Sequence, residues 1–253
     1  NLDDEFAAQV QAAVGEGVRV LTCSTRGAAA DVRVENPCWH SGGVAAEFHS
    51  PWGRGGFDSP LPGDFNLANL AAAVTALVLA GEELQGLLAV ISRLQPVPGR
   101  MQSVPNGAGL QVIVDYAHTP DALEQVLRAL RAHVDGALVT VFGCGGDRDR
   151  DKRQLMGRVA CLLSDRVIVT SDNPRSEDPV QILRDIECGC SGDYLLVTDR
   201  AEAIGLALVE ARPGDCIVIA GKGHEDYQIV EGVRLPFSDV AVARDALARR
   251  AAS

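Results

Sequence analysis

The second half of this chain alternates short apolar runs with stretches of helical spacing, and that alternation leaves few folds open. Residues 112–114, 137–142, 166–170, 194–197 and 216–220 read as strands, while 121–134, 152–163, 179–187, 201–212 and 240–250 read as helices. The runs ALVTVF, VIVT and CIVIA are almost wholly apolar, as strands of a parallel sheet must be when both faces are covered. A doubly wound α/β domain is the expectation, and such domains place ligands beyond the carboxyl ends of their strands.

The first part reads differently. Residues 18–23 form a short strand candidate, and 31–62 mix brief apolar runs with Gly and Pro, as in a small antiparallel meander. Residues 66–80 (NLANLAAAVTALVLA) are apolar nearly all round, which predicts a buried helix, and 84–94 predict a second one. The stretch QPVPGR at 95–100 ends that helix and opens a new unit.

Charge and cysteine content bound the partners. Lys and Arg number 23 against 34 Asp and Glu, a net charge of −11. That balance opposes sequence-independent nucleic-acid binding, which needs clustered cations, but leaves room for a local basic pocket. No apolar run reaches the roughly 20 residues of a membrane span, and the acidic start carries no signal peptide. Cys23, Cys38, Cys144, Cys161, Cys188, Cys190 and Cys216 are scattered without a CxxC pair. Each is read as a small buried hydrophobe in a reducing, cytoplasmic setting.

The polar residues of interest follow the strands. Asp115 and His118 come after 112–114; they suit a ribose hydroxyl or a phosphate, or else Asp115 caps the turn and His118 faces water. Gly143-Cys144-Gly145-Gly146-Asp147-Arg148 follows 137–142 and lets the backbone approach an anion, or makes a plain tight turn. It is neither GxGxxG nor a P-loop, and no GxxxxGK[ST] occurs in the chain. Asp172-Asn173-Pro174-Arg175 follows 166–170: Arg175 can grip a carboxylate and Asp172 an ammonium, or the four form an ordinary Asx-turn. After 216–220, Gly221-Lys222-Gly223 leads to His224 and Glu225, and Glu225 can accept from an amine. No zinc spacing is present. Together these loops suggest one composite pocket for charged small molecules.

Six ordered stretches carry a family resemblance: GDFNLANLAAAVTAL (63–77), LQPVPGRMQSV (94–104), VDYAHTPDALE (114–124), VFGCGGDRDRDKRQLMG (141–157), TSDNPRSEDP (170–179) and AGKGHEDYQ (220–228). They resemble the Mur ligases, in the branch that adds meso-2,6-diaminopimelate. Asn1-Leu2-Asp3-Asp4 is similar to an Asn-x-Asp-Asp stretch of the family's central domain. The resemblance implies residues 1–98 as the later part of the ATP-binding central α/β domain and 99–253 as the Rossmann-like C-terminal domain. It implies an ATP- and Mg2+-dependent ligase of peptidoglycan precursor synthesis. Its small-molecule substrates would be meso-diaminopimelate, ATP and UDP-MurNAc-L-Ala-D-Glu, joined through an acyl phosphate by a cytoplasmic monomer. Carried onto this chain, Arg148, Asp172, Asn173, Pro174, Arg175, Gly221 and Glu225 would hold diaminopimelate. Arg148 and Arg175 would take carboxylates, while Glu225 and the Gly221 carbonyl would take the distal ammonium. Asn66 and Asn69 would lie near adenine, and Arg100, Asp115 and His118 near the phosphates and ribose.

The chain departs from the family in lacking the P-loop, the magnesium ligands and the modified lysine, which the resemblance places upstream of Asn1. No catalytic residue or metal ligand is therefore assigned here. The expectation is a ligase portion that cannot use ATP alone; the alternative is a short amino-acid-binding remnant without catalysis.

Overall fold

The computed structural model describes residues 1–253 except 41, 42, 62, 132, 133, 252 and 253. The chain divides into two units, Asn1–Pro96 and Val97–Ser253.

In the first unit, α1 (Ala7–Ala12) precedes β1 (Cys23–Ser24), β2 (Val32–His40), β3 (Gly43–Ser50) and β4 (Gly53–Ser59). These four strands make a sheet in that order, with β1 parallel to β2 and the others antiparallel. The expected meander is therefore present. Alternation sends Val32, Val34, Val44, Ala46, Phe48 and Phe57 to one face. There they meet α2 (Asp64–Leu79) and α3 (Leu84–Val90). Two expectations need correction. The strand expected over 18–23 is confined to Cys23–Ser24, with Val18 and Val20 exposed. The helix expected to be buried throughout is buried only at Leu67, Leu70, Ala71 and Val74, while Leu77 and Leu79 are exposed. A sheet covers one stripe of a helix, and the apolar composition of the other stripes cannot by itself bury them.

The second unit follows the expected alternation closely. Its elements are β5 (Gln102–Ser103), β6 (Gln111–Asp115), α4 (Pro120–Arg131), β7 (Leu138–Phe142), α5 (Asp151–Leu163), β8 (Arg166–Val169), α6 (Pro179–Glu187), β9 (Tyr194–Leu196), α7 (Arg200–Glu210), β10 (Cys216–Ala220), β11 (Tyr227–Val230), β12 (Val233–Pro236) and α8 (Asp239–Ala251). Of the expected extension of α4 to 134, residues 132 and 133 lie outside the described residues. The six-stranded sheet has the order β5-β6-β10-β7-β8-β9, parallel except for β5. Val112, Val114, Val139, Val141, Ile217 and Ile219 share one face with α7 and α8. From the other side α4, α5 and α6 pack against β8 and β10. Sequence punctuation explains the helix starts: Asp178 and Asp199 accept hydrogen bonds from Val180 and Glu202 N–H groups, and Pro179 opens α6.

The crossover that returns from β9 inserts β10 between β6 and β7. Register pairs Ala220 with Asp115, Ile219 with Val141, and Val169 with Phe142. The carboxyl ends of β6, β10, β7 and β8 are therefore level, and the loops that follow them converge. Among the described residues no helix is long and apolar enough to cross a membrane.

The cysteine reading holds only in part. Cys144 and Cys216 are buried, and burial pushes each thiol up to about 12. Cys38 and Cys188 are exposed, and Cys23, Cys161 and Cys190 are half-buried; small size permits burial but does not compel it.

Candidate functional site

The loops after β8 and β10 meet around the ammonium of Lys222, which is wholly buried. It donates to Glu225 Oε2 at 3.0 Å and Asn173 Oδ1 at 3.1 Å, and lies 3.9 Å from Asp172 Oδ1. Asn173 completes the cluster, donating from Nδ2 to Glu225 Oε2 at 2.9 Å and accepting from the Ile229 N–H at 2.9 Å. Burial raises the Glu225 carboxyl, but the hydrogen bonds from Asn173 and Lys222 outweigh it and leave the group below its ordinary value. Asp172 goes the other way: burial lifts it, and Arg200 and Lys222 counter that only in part. The approach is close enough to require glycine at 221, where φ is 117° and an added Cβ would meet Asp172 Oδ2 at 2.5 Å.

A second buried cation fixes the strand ends themselves. Arg200 pairs with Asp239 through Nε and Nη2 at 2.7 and 2.8 Å. It also donates to Ser171 O at 3.3 Å and Ala220 O at 2.9 Å. One side chain thereby ties the backbone just before Asp172 to the backbone just before Gly221. Both ion-pair partners are fully buried.

The loop after β7 is latched to the same region. Arg175 donates from Nη1 to Gly146 O at 2.7 Å, and the Gly146 N–H donates to Asn173 O at 2.9 Å. These bonds leave Arg175 Nε and Nη2, the two donors a carboxylate takes side by side. Arg148 flanks the same face of Gly145 as Arg175 and is exposed; its bond is to Asp147 O at 3.5 Å. Behind them Arg153 is buried against Glu177 and Asp185, with contacts of 2.8–3.0 Å. Glu177 also accepts from the Asp147 N–H at 2.6 Å, and Ser176 Oγ donates to Asp147 Oδ1 at 2.7 Å. The Arg153 hydrogen bond leads the interactions that pull Glu177 down to about 2.

Arg100, Asp115 and His118 also converge, through Tyr116. The Arg100 guanidinium sits 4.7 Å above the Tyr116 ring, whose centroid is 4.6 Å from that of His118 and 5.4 Å from that of His224. Asp115 accepts from the Met101 N–H and the Ala117 N–H, both at 2.7 Å, and burial raises its carboxyl. Its oxygens thus organise the turn, while Arg100 and His118 are exposed at its edge. Asn66 and Asn69 lie on the first turns of α2, joined by a 3.3 Å bond from Asn69 Nδ2 to Asn66 Oδ1.

Several participants were not singled out from the sequence. Lys222 stood between two glycines, a signal of close packing that its charge disguised. Arg200, Asp239 and Arg153 carried no local signal, because their partners lie far along the chain. The hairpin β11–β12 was legible in principle: YQIV and VRLP flank Glu231-Gly232, a two-residue turn with both φ angles positive. Among the described residues no three His, Cys, Asp or Glu side chains are placed to hold a metal ion.

Comparison with known proteins gives this geometry a family. Residues 1–77 match the Mur ligase middle domain, and residues 99–223 match the Mur ligase glutamate ligase domain. The UDP-N-acetylmuramoyl-L-alanyl-D-glutamate--2,6-diaminopimelate ligase of Gloeobacter violaceus is 47% identical over 253 residues, covering 99% of this chain and 51% of the relative. A solved structure of an enzyme of that name is 42% identical, with a TM-score of 0.67 over 99% of this chain and 52% of its own. The MurF ligase from Thermotoga maritima, solved in complex with ADP, shares the fold at 19% identity. Its TM-score is 0.64, over 91% of this chain and 48% of its own. The chain spans about half the length of the curated relatives it matches.

Proposed function

The chain belongs to the Mur ligase family, and we propose that it carries the amino-acid-binding part of a ligase that adds meso-2,6-diaminopimelate to UDP-MurNAc-L-Ala-D-Glu. The whole enzyme would phosphorylate the D-Glu γ-carboxyl with ATP, and the diaminopimelate amine would displace phosphate from the acyl phosphate to form the amide. The reaction would take place in the cytoplasm, in peptidoglycan precursor synthesis, with the protein acting as a monomer. A carboxylate is a poor electrophile, so phosphorylation supplies the leaving group, and the protein's contribution is positioning and charge neutralisation.

The observation that carries the reading is that Arg175 and Glu225, on loops from two different strands, both bond Asn173, Arg175 at its carbonyl and Glu225 at its side-chain amide. In this reading Arg175 Nε and Nη2 take the distal carboxylate, with Arg148 at the mouth. Glu225 Oε1 and the Gly221 carbonyl take the distal ammonium. Glu225 Oε2 is committed to Lys222 and Asn173, which hold the carboxylate ionised and aimed. Asp172 adds negative charge behind it, and Pro174 fixes the turn. L-lysine lacks the second carboxylate, so it would leave the half-buried Arg175 without its partner.

Arg100 and His118 would meet phosphate and ribose, Asp115 would hold the loop that presents them, and Asn66 and Asn69 would meet adenine. Among the described residues no three His, Cys, Asp or Glu side chains are placed to fit Mg2+. With no GxxxxGK[ST] in its sequence, the 253-residue chain would bind the amino acid without turning over ATP. Isothermal titration calorimetry of this chain tests the reading. Binding of meso-diaminopimelate with at least about tenfold preference over L-lysine is the expected result; equal affinity for both, or none for either, contradicts it.

A further inference from the structure

The hairpin β11–β12 adds little to the core: none of its eight strand residues is buried. Its hydrogen bonds run instead to the Asp172–Arg175 turn. Gln228 Nε2 donates to Asp172 O at 2.8 Å, and the Ile229 N–H donates to Asn173 Oδ1 at 2.9 Å. The Arg175 N–H donates to Ile229 O at 2.9 Å, and the Glu231 N–H donates to Arg175 O at 2.8 Å. The last two bonds form an isolated parallel bridge between Arg175 and Val230. Arg175 has a φ of 54°, a left-handed conformation that a residue with a side chain keeps only when its surroundings impose it. The bridge imposes it here, and so sets the direction in which the guanidinium leaves the turn.

The hairpin's shape depends in turn on its two central residues. Glu231 and Gly232 have φ of 50° and 76°, the positive pair that matches a tight hairpin to the twist of its strands. A Cβ on Gly232 would meet nothing within 4 Å. A substitution there acts on backbone conformation without a clash and without touching the amino-acid loops.

We infer that the β11–β12 hairpin is the specificity-positioning element of the amino-acid site: it holds Arg175 where Nε and Nη2 can meet a second carboxylate. The inference rests on the amino-acid reading given above. When the hairpin loosens, Arg175 relaxes out of the left-handed region. An amino acid with a second carboxylate then loses its advantage over one without.

Gly232→Val and Gly232→Asn in the 253-residue chain separate these roles, with calorimetric titration of meso-diaminopimelate and L-lysine and circular dichroism to verify folding. Valine resists positive φ and asparagine tolerates it. Gly232→Val is expected to weaken meso-diaminopimelate at least about tenfold while leaving L-lysine little changed, and Gly232→Asn is expected to restore the preference. A hairpin that only supports the fold would weaken both ligands by one factor or neither, and that result overturns the inference. If Gly232→Val does not fold, Gln228→Leu is titrated in the same way: loss of preference supports the inference and an equal effect on both ligands overturns it. A wild-type chain that binds neither amino acid removes the amino-acid reading, and the inference with it. A wild-type chain that discriminates while every folded variant matches it removes the inference alone.

Discussion

Lys222 and Glu225 leave the same loop three residues apart and close on each other at 3.0 Å, the ammonium wholly buried and the carboxylate partly open. The pair does more than neutralise itself, because the same ammonium also orients Asn173 from the loop after β8, two strands away in the sheet. Lys222→Met removes the cation and leaves Asp172 and Glu225 facing each other without it. The expected cost is about 3 kcal/mol of stability, read from urea unfolding, together with loss of amino-acid binding. A variant as stable as wild type contradicts the placement of Lys222.

Arg200 and Asp239 form a fully buried pair whose removal one partner at a time should be worse than removal of both. Arg200→Met is expected to destabilise by about 3–5 kcal/mol, since it strands the Asp239 carboxylate. Arg200→Met combined with Asp239→Leu is expected to recover part of that loss. Denaturant midpoints of the two single variants and the double variant decide it; strict additivity of the single losses would show that the pair does not couple.

Glu177 makes acid stability specific. Its carboxyl lies at about 2 in the folded protein, against an ordinary value of 4.5. The stabilisation linked to this depression is present in full above pH 4.5 and is lost as pH falls from there toward 2. Glu177→Gln should lower stability at neutral pH and flatten the fall of melting temperature over that window. A slope equal to that of wild type would show that Glu177 is not depressed.

Asp172 carries the opposite sign. Burial holds its carboxyl above the ordinary value, so ionisation at neutral pH works against the fold, and stability contributed by the protonated form is lost as pH rises through its folded value. Asp172→Asn is therefore expected to raise the melting temperature, by about 2–4 °C for each kcal/mol relieved in a chain of this size, while weakening amino-acid binding. Such an exchange of stability for function is common at sites that gather charge. A fall in melting temperature would show that Asp172 stabilises the fold as an ion.

The sequence exposed what depends on local pattern. The apolar runs at 137–142, 166–170 and 216–220 mark parallel strands because burial on both faces leaves no polar position. The polar residues after them mark the site because loops at strand ends escape the constraint on the core. What stayed hidden depends on distant partners. Nothing near Arg200 announces Asp239, 39 residues away, and nothing near Arg153 announces Glu177. Lys222 is the sharper lesson: lysine ammonium groups ordinarily stay in water, and only the folded geometry supplies the three oxygens that let this one be buried. The apolar helix at 66–80 failed in the reverse direction, since composition stated what could be buried and the sheet decided which stripe was.

In the proposed reading, the loops after β8 and β10 form a diaminopimelate site with Arg175 as its carboxylate anchor. A crystal structure of the 253-residue chain with meso-diaminopimelate tests it most directly. One ligand carboxylate is expected on Arg175 Nε and Nη2 and the adjacent ammonium on Glu225 Oε1, with Lys222 unmoved on Glu225 Oε2. A ligand bound away from these loops, or one in the pocket with Arg175 unengaged, would contradict it.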